Sequence, residues 1–465
     1  LKRFDVFKER AHHISFVIIL CLSLYASGAA HASFTIDDEK KLGKEFYEKL
    51  DKSNVLIHDQ KIHEYVNRVG STVLAQSEKA PFEFHFSVIK DSAINAFATP
   101  GGYVYVNRGL ITLVEKESEL AAVLAHEIAH VNARHIASII ERSQKIGIAT
   151  LAAILAGAFL GGGGQLTAAA TSFSLATATT LNLKYSREHE EEADRLGMYY
   201  LVSAGYDGKA MLDFLKTMRR YEFYSNTIPS YFLTHPGTDE RISYLDALLQ
   251  TTYIHRGAES IIGTLKRTQT TLMFGEKNLD SSLKHFQKEL QKNQNDVDAL
   301  YGIAVIQERL GRYPESIENF RRALSLSPND EDVVRDLGIV YFKLGQTSEA
   351  IDCLQRAVAL SGNNTDAYLY LGRSYEQLGD YATALSIYKK LENKRIDDAD
   401  VYYSIAIAYG KTHNPGASHY HFGLYFKKKN KRESALYHFK EALKYFPQYS
   451  EKYEEIEKEI KFVKR

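Results

Sequence analysis

Apolar positions return every three or four residues in "DDEKKLGKEFYEKLDK" (37–52) and again in "HDQKIHEYVNRVGSTVLAQ" (58–76). That spacing predicts two amphipathic helices between 34 and 76. "FEFHFSVI" (82–89) alternates and predicts a strand. "INAFATPGGYVYVNRGLITLV" (94–114) predicts a strand, a turn at Pro100–Gly102 and a second strand over Tyr103–Val106. An amphipathic helix is expected from Ser118, as its N-cap, past His130 to about Ile140. The stretch from Ile146 to Leu160 carries no charge and runs into four glycines. It is marginal for a bilayer span and reads as a buried helical hairpin, or else as a lid or membrane-touching loop. "NLKYSREHEEEADRLGMYYLVSAGYD" (182–207) predicts a long helix from about Tyr185 to a break at Gly205.

The C-terminal part repeats. Gly311, Gly345 and Gly379 lie 34 residues apart, the period of the tetratricopeptide helical hairpin. Small residues precede them at Ala304, Gly338 and Gly372 and follow at Ser316, Ala350 and Ala384; bulky ones follow at Phe320, Leu354 and Tyr388. Small positions let paired helices approach, and bulky ones fill the gap between neighbours. A fourth unit is expected around Asn430, with Gly423, Ala435, Phe439, Ala442 and Pro447, after an irregular insertion near Asn414–Tyr420. A degenerate first unit is expected over roughly Ile261–Lys292.

Length and composition refine this picture. A chain of 465 residues that is 45% hydrophobic and 25% charged holds more than one folded unit. Its formal net charge of zero provides no strong field for nucleic acid, so none is expected as a partner. Lys2, Arg3, Lys8 and Arg10 precede an apolar stretch, Ile14–Ala30, and Ala30-His31-Ala32 fits a cleavage site. Residues 1–32 therefore read as an export signal cleaved after Ala32, in preference to a permanent anchor. Without that segment the chain is slightly acidic and keeps only Cys353, so no internal disulfide is expected. Cys353 falls in a repeat helix and reads as core.

The candidate chemistry lies in "LAHEIAH" (124–130). Residues four apart share a helix face, so His126 and His130 can direct two imidazoles at one ion. Zinc takes such nitrogen and oxygen ligands and keeps a position open for water. Glu127 is then placed as general base, taking the water proton and passing it to the leaving amine. A third histidine in the extended H-E-x-x-H-x-x-G-x-x-H pattern falls on Ile136, and its glycine on Ala133. His135 is one residue out of register, so that class is excluded and His135 is expected on the helix surface. "SREHEEEAD" offers Glu188, Glu190, Glu191, Glu192 and Asp194. Glu190 and Asp194 share a face, so Glu190 can bind zinc while Asp194 orients an imidazole. Taken alone, the same segment reads as a solvated acidic face.

"LAHEIAH" followed by "YSREHEEEAD" resembles the zinc peptidases that include the heat-shock membrane peptidases and the CAAX prenyl endopeptidases. "NAFATPGGYVYVNRGL" (95–110) and "THPGTDERI" (234–242) match the same family in order. The resemblance covers roughly 34–250. It implies a zincin-like α+β fold and one zinc ion per chain held by His126, His130 and Glu190, with Asp194 supporting. It also implies a place near the zinc for His235, as a reversible ligand that keeps the enzyme latent or as an oxyanion donor, and for Arg241. Tyr103, Val104, Tyr105 and Val106 are expected as a substrate edge strand.

The expected architecture is mainly α. A signal peptide (1–32) precedes a peptidase domain with a small sheet (33–255) and an α-solenoid of tetratricopeptide repeats (256–465). With export and repeats, the layout is similar to periplasmic family members acting in quality control of outer-membrane proteins. Expected partners are unfolded or misassembled proteins, outer-membrane assembly machinery through the repeats, and a membrane surface through Ile146–Leu160. The alternative is a chaperone-like assembly scaffold with latent protease activity.

Overall fold

A computed structural model describes residues 34–141, 147–160, 185–225, 228–275, 278–392 and 399–464. The expected export segment and Cys21 lie outside the described residues. The chain divides into two compact units, with the boundary after Thr268.

In the first unit, α1 (Ile36–Lys52) starts at a capping box: Thr35 Oγ1 accepts from the Asp38 amide, and the Asp38 carboxylate accepts from the Thr35 amide. Its Leu42, Phe46 and Leu50 are buried. α2 (Gln60–Leu74) starts at Asp59, whose carboxylate accepts from the Lys61 and Ile62 amides.

Three strands follow: β1 (His85–Ile89), β2 (Ala96–Thr99) and β3 (Tyr103–Asn107), in the order β1-β3-β2. β3 runs parallel to β1 with His85 opposite Tyr103, and antiparallel to β2 with Ala96 opposite Val106. The turn at Pro100–Gly102 forms as expected, with Gly101 and Gly102 at φ +88° and +92°, where glycine carries no steric penalty. Tyr103–Val106 is not the substrate edge expected above. The tight turn pairs β3 with β2 on one side, and parallel β1 fills the other. Val104, Tyr105 and Val106 are fully buried, as suits a central strand.

α3 (Arg108–Leu113) leads into α4 (Glu117–Asn132), the HEIAH helix. The expected amphipathic helix with a Ser118 cap is corrected on three points. Lys116 is the N-cap and makes no side-chain cap bond. Every residue from Glu117 to Val131 is buried, because α2, β2 and two later helices pack around it. And the helix stops at Ala133: Arg134 takes φ +54°, and a separate α5 (His135–Glu141) sets off beyond it.

α6 (Ile148–Leu160) is a single helix. Its Leu151, Ala152, Ile154 and Leu155 join Leu42, Phe46, Phe97 and Tyr105 in one core. Ile146 and the glycine run 161–164 lie outside the described residues. Among those described, no helix is long and apolar enough to cross a membrane. α7 (Arg187–Ser203) is capped by Ser186 and ends before Gly205 at φ +89°; α8 (Lys209–Ser225), α9 (Ser230–Thr234) and α10 (Thr238–Thr251) complete the helices of this unit up to Thr251.

This unit extends past 255, where the sequence reading placed the domain boundary. The Glu117 carboxylate accepts from the amides of Ile261, Ile262 and Gly263 at 2.7–2.8 Å and from the Tyr206 hydroxyl at 3.0 Å. Burial opposes its ionisation, but the three amides and Tyr206 hold its pKa below the glutamate range. Glu117→Ala strands those donors and is expected to cost about 3 kcal/mol or more. The pH dependence carries a defined sign. A depressed folded-state pKa gives stability that is full above the ordinary value of 4.5 and is lost as pH falls through the lowered one. Denaturant unfolding measured from pH 6 downward should therefore be less acid-sensitive in Glu117→Gln than in wild type.

The second unit is a run of helical hairpins, including Val297–Arg309 with Tyr313–Leu326, Glu331–Lys343 with Thr347–Leu360, and Thr365–Gln377 with Tyr381–Glu392. Gly311, Gly345 and Gly379 sit between paired helices at φ +72° to +78°. A Cβ on Gly338 would lie 2.8 Å from Leu354 Cγ, so the small position faces the bulky one. Cys353 is half-buried, and burial pushes its thiol up to about 11.

The irregular insertion expected near Asn414–Tyr420 is not found there: those residues cap and begin a regular helix. Asn414 caps the helix Pro415–Lys428, with Pro415 at the first position, where no amide is needed. Ser418 Oγ donates to the Ala406 carbonyl at 2.8 Å, repeating the Ser316–Ala304 bond at 2.7 Å three 34-residue periods earlier. The 34-residue period continues because His413, at φ +57°, occupies the glycine position.

Candidate metal centre

His126 and His130 leave the same face of α4 one turn apart, with their Nε2 atoms 2.9 Å apart. α7 lies directly on the backbone of α4. A Cβ at Gly197 would come within 3.1 Å of His126 N and Cα, so glycine there permits the close crossing. Glu190 and Asp194, earlier on α7, then reach the histidines. Glu190 places Oε2 3.4 Å from His126 Nε2 and Oε1 3.5 Å from His130 Nε2. His235, the C-cap of α9, brings Nδ1 to 3.0 Å from Glu190 Oε1 and 3.3 Å from His126 Nε2. One ligand atom from each of His126, His130, Glu190 and His235 lies within 4.8 Å of all the others. All four are buried, as is Glu127.

A second layer holds this cluster. Asp194 Oδ1 is 2.9 Å from His126 Nδ1. Arg241, on α10, donates to both Asp194 oxygens at 2.7 Å and sets its third nitrogen 2.6 Å from Glu190 Oε2. The Tyr244 hydroxyl also donates to Asp194.

The buried charges tune one another. Burial opposes ionisation of Glu190, yet His235 and Arg241 hold its carboxyl well below the usual range. Burial acts likewise on Asp194, and the Arg241 charge brings it to about 2. Burial raises the Glu127 pKa against the pull of His235 and His126, which suits a proton acceptor. Burial and Arg241 disfavour a charged His126, but the Asp194 bond outweighs them and raises it to about 9. Burial drives His130 well below the usual histidine value.

The donor set fits one zinc ion. Tetrahedral ligands at 2.0–2.1 Å from zinc lie about 3.3 Å apart; the two histidine nitrogens are 2.9 Å apart, and each has a Glu190 oxygen near that spacing, Oε2 at 3.4 Å from His126 and Oε1 at 3.5 Å from His130. Among the described residues both Glu127 oxygens and His235 Nε2 find no hydrogen-bond partner although buried, and the nearest approach between them is 3.5 Å, so polar atoms beside the cluster are left for further ligands. Glu188 and Glu191 stay outside it.

Four residues went unrecognised in the sequence. His135 is buried, not on the surface: its Nδ1 lies 2.8 Å from His130 Nδ1 and its Nε2 3.3 Å from Glu192. Tyr185 stacks on His130 at 3.8 Å and Tyr231 on His235 at 4.3 Å; Tyr244 is the fourth. No spacing rule links any of them to HEIAH.

Two histidines one turn apart, a glutamate beside the first and a carboxylate from a crossing helix together make a metallopeptidase type of centre. Residues 57–249 match the model of peptidase family M48, and residues 295–363 and 335–401 match tetratricopeptide-repeat models. The first unit is therefore similar to M48 peptidases over residues 57–249, and the second to tetratricopeptide arrays over the matched segments. The chain is 35% identical over 216 residues to the beta-barrel assembly-enhancing protease of Yersinia pestis and 32% identical to that of Escherichia coli, over 46% of this chain and 44% of each relative. It is 30% identical over 227 residues to the mitochondrial metalloendopeptidase OMA1 of Schizosaccharomyces pombe, over 48% of this chain and 64% of that one. The match thus spans less than half the length of the first two relatives.

Proposed function

We propose that the chain is an exported, periplasmic zinc endopeptidase that cuts misfolded or misassembled envelope proteins, with the repeats recruiting clients or outer-membrane assembly machinery. The carrying observation is the buried Glu127 carboxylate, which accepts no hydrogen bond from the described residues, beside His126, His130 and Glu190. In this reading those three residues hold the zinc. When bound, zinc supplies a Lewis acid for the scissile carbonyl and makes a water acidic. Glu127 takes that proton at its carboxylate and delivers it to the leaving amine. Asp194 fixes the His126 ring, and Arg241 balances the two buried carboxylates. Within α6, Leu151, Ala152, Ile154 and Leu155 are spent in the core and Ala149 and Thr150 are exposed, which gives a membrane contact little support from these residues.

The second reading, a chaperone-like assembly scaffold with latent proteolysis, is supported by His235. Its Nε2 lies 3.5 Å from Glu127 Oε1 and its other nitrogen touches Glu190. Casein cleavage by zinc-loaded protein tests both readings. Activity abolished by a chelator and raised in His235→Ala supports an enzyme held latent. An unchanged rate in His235→Ala assigns that residue a structural role, and no cleavage by either protein refutes the peptidase reading.

A further inference from the structure

We infer that His135 is a positioning residue for the metal centre: it accepts the Nδ1 proton of His130 and passes the constraint on to Glu192. This rests on the proposed ligand role of His130. His130 directs Nε2 at His126 and Glu190, so Nε2 must carry the free lone pair if it binds a metal, and the ring proton belongs on Nδ1. The atom facing that Nδ1 is His135 Nδ1, 2.8 Å away. His135 is then protonated on Nε2, which lies 3.3 Å from the half-exposed Glu192 carboxylate. One assignment of protons satisfies both bonds.

The arrangement mirrors the other ligand. His126 is held through Nδ1 by Asp194, four residues after Glu190; His130 is held through Nδ1 by His135 and, beyond it, by Glu192. Both restraints end on α7, the helix that carries Glu190. Partners of this kind fix the ring and its tautomer, and losing one typically weakens metal binding 10–100-fold.

The backbone makes the contact possible. In a continuous helix, residues five apart point roughly 140° from each other, so His135 would face away from His130. The left-handed Arg134, at φ +54°, ends α4 and turns His135 back over the ligand. A non-glycine residue in that region is held by its surroundings. Arg134 is held by buried Glu39 at 2.6 Å and by the Phe34 carbonyl at 3.1 Å. His189 stacks on the outer face of the His135 ring at 4.4 Å and limits its rotation.

The test is a zinc dissociation constant from chelator competition, on wild type, His135→Phe and His135→Asn. Asparagine keeps an acceptor near the Nδ1 position; phenylalanine keeps the ring volume without it. The expected result is zinc binding 10–100-fold weaker in His135→Phe and within a few-fold of wild type in His135→Asn. A hydrogen-bonded His130 Nδ1 proton should be visible by NMR in zinc-loaded wild type and lost in His135→Phe. Equal zinc affinity in wild type and His135→Phe overturns the inference. So does equal weakening in both variants, which marks a packing role. If His135→Phe fails to fold, a hundredfold loss in His135→Asn or the absence of the NMR proton in wild type overturns it. Wild type that binds no zinc refutes the ligand assignment itself, a distinct outcome.

Discussion

Glu127→Gln is expected to keep the fold and the zinc and to lose about 10²- to 10⁴-fold in peptide hydrolysis. The substitution is isosteric and exchanges a charge for an amide at a site with no exposed surface. Glu127 accepts no hydrogen bond from the described residues, so the substitution gives up only its 3.5 Å ion pair with His235. Burial already raises its pKa, and removing a buried charge relieves a desolvation cost. The variant should therefore be at least as stable as wild type while inactive. Denaturant unfolding, zinc analysis and peptide cleavage on one preparation check all three parts. Retained hydrolysis would remove Glu127 from the chemistry.

Arg241→Ala is expected to have the largest effect on stability. Its guanidinium serves both oxygens of Asp194 and one of Glu190, all buried. Truncation leaves two carboxylates in the interior without their cation, a loss of about 3–5 kcal/mol. Arg241→Lys should recover little, since one ammonium cannot reproduce a planar fork that spans two acids. Zinc should stabilise the variant more than wild type, because it brings positive charge to the same carboxylates. The unfolding midpoint of the first unit, taken with chelator and with excess zinc, measures this. Equal midpoints for wild type and Arg241→Ala in chelator would mean the ion network contributes nothing net.

The parts of the site that follow a helical period were legible in the chain. His126 with His130, and Glu190 with Asp194, each lie four apart, and the side chains converge because Gly197 lets the two helices touch. His235 and Arg241 entered through resemblance alone; they approach from a different part of the chain, and no spacing announces that. His135 was misplaced because its position depends on one left-handed residue, Arg134, whose conformation is fixed by Glu39, far off in sequence. Tyr103–Val106 reads the same whether central or at an edge, since burial on both faces leaves no alternation to show which neighbours pair. In the repeats, His413 concealed a hairpin because the period had been read from its glycines. Fold class was legible throughout, since it rests on periodicity; the errors cluster where a tertiary contact overrides it.

The most direct test of the metal centre is diffraction at the zinc absorption edge from crystals of the zinc-loaded chain. The prediction is one anomalous peak about 2.0–2.2 Å from Nε2 of His126, Nε2 of His130 and a Glu190 oxygen, with Glu127 facing the open position. A peak elsewhere, or a zinc ion lacking two of those three ligands, would contradict the account.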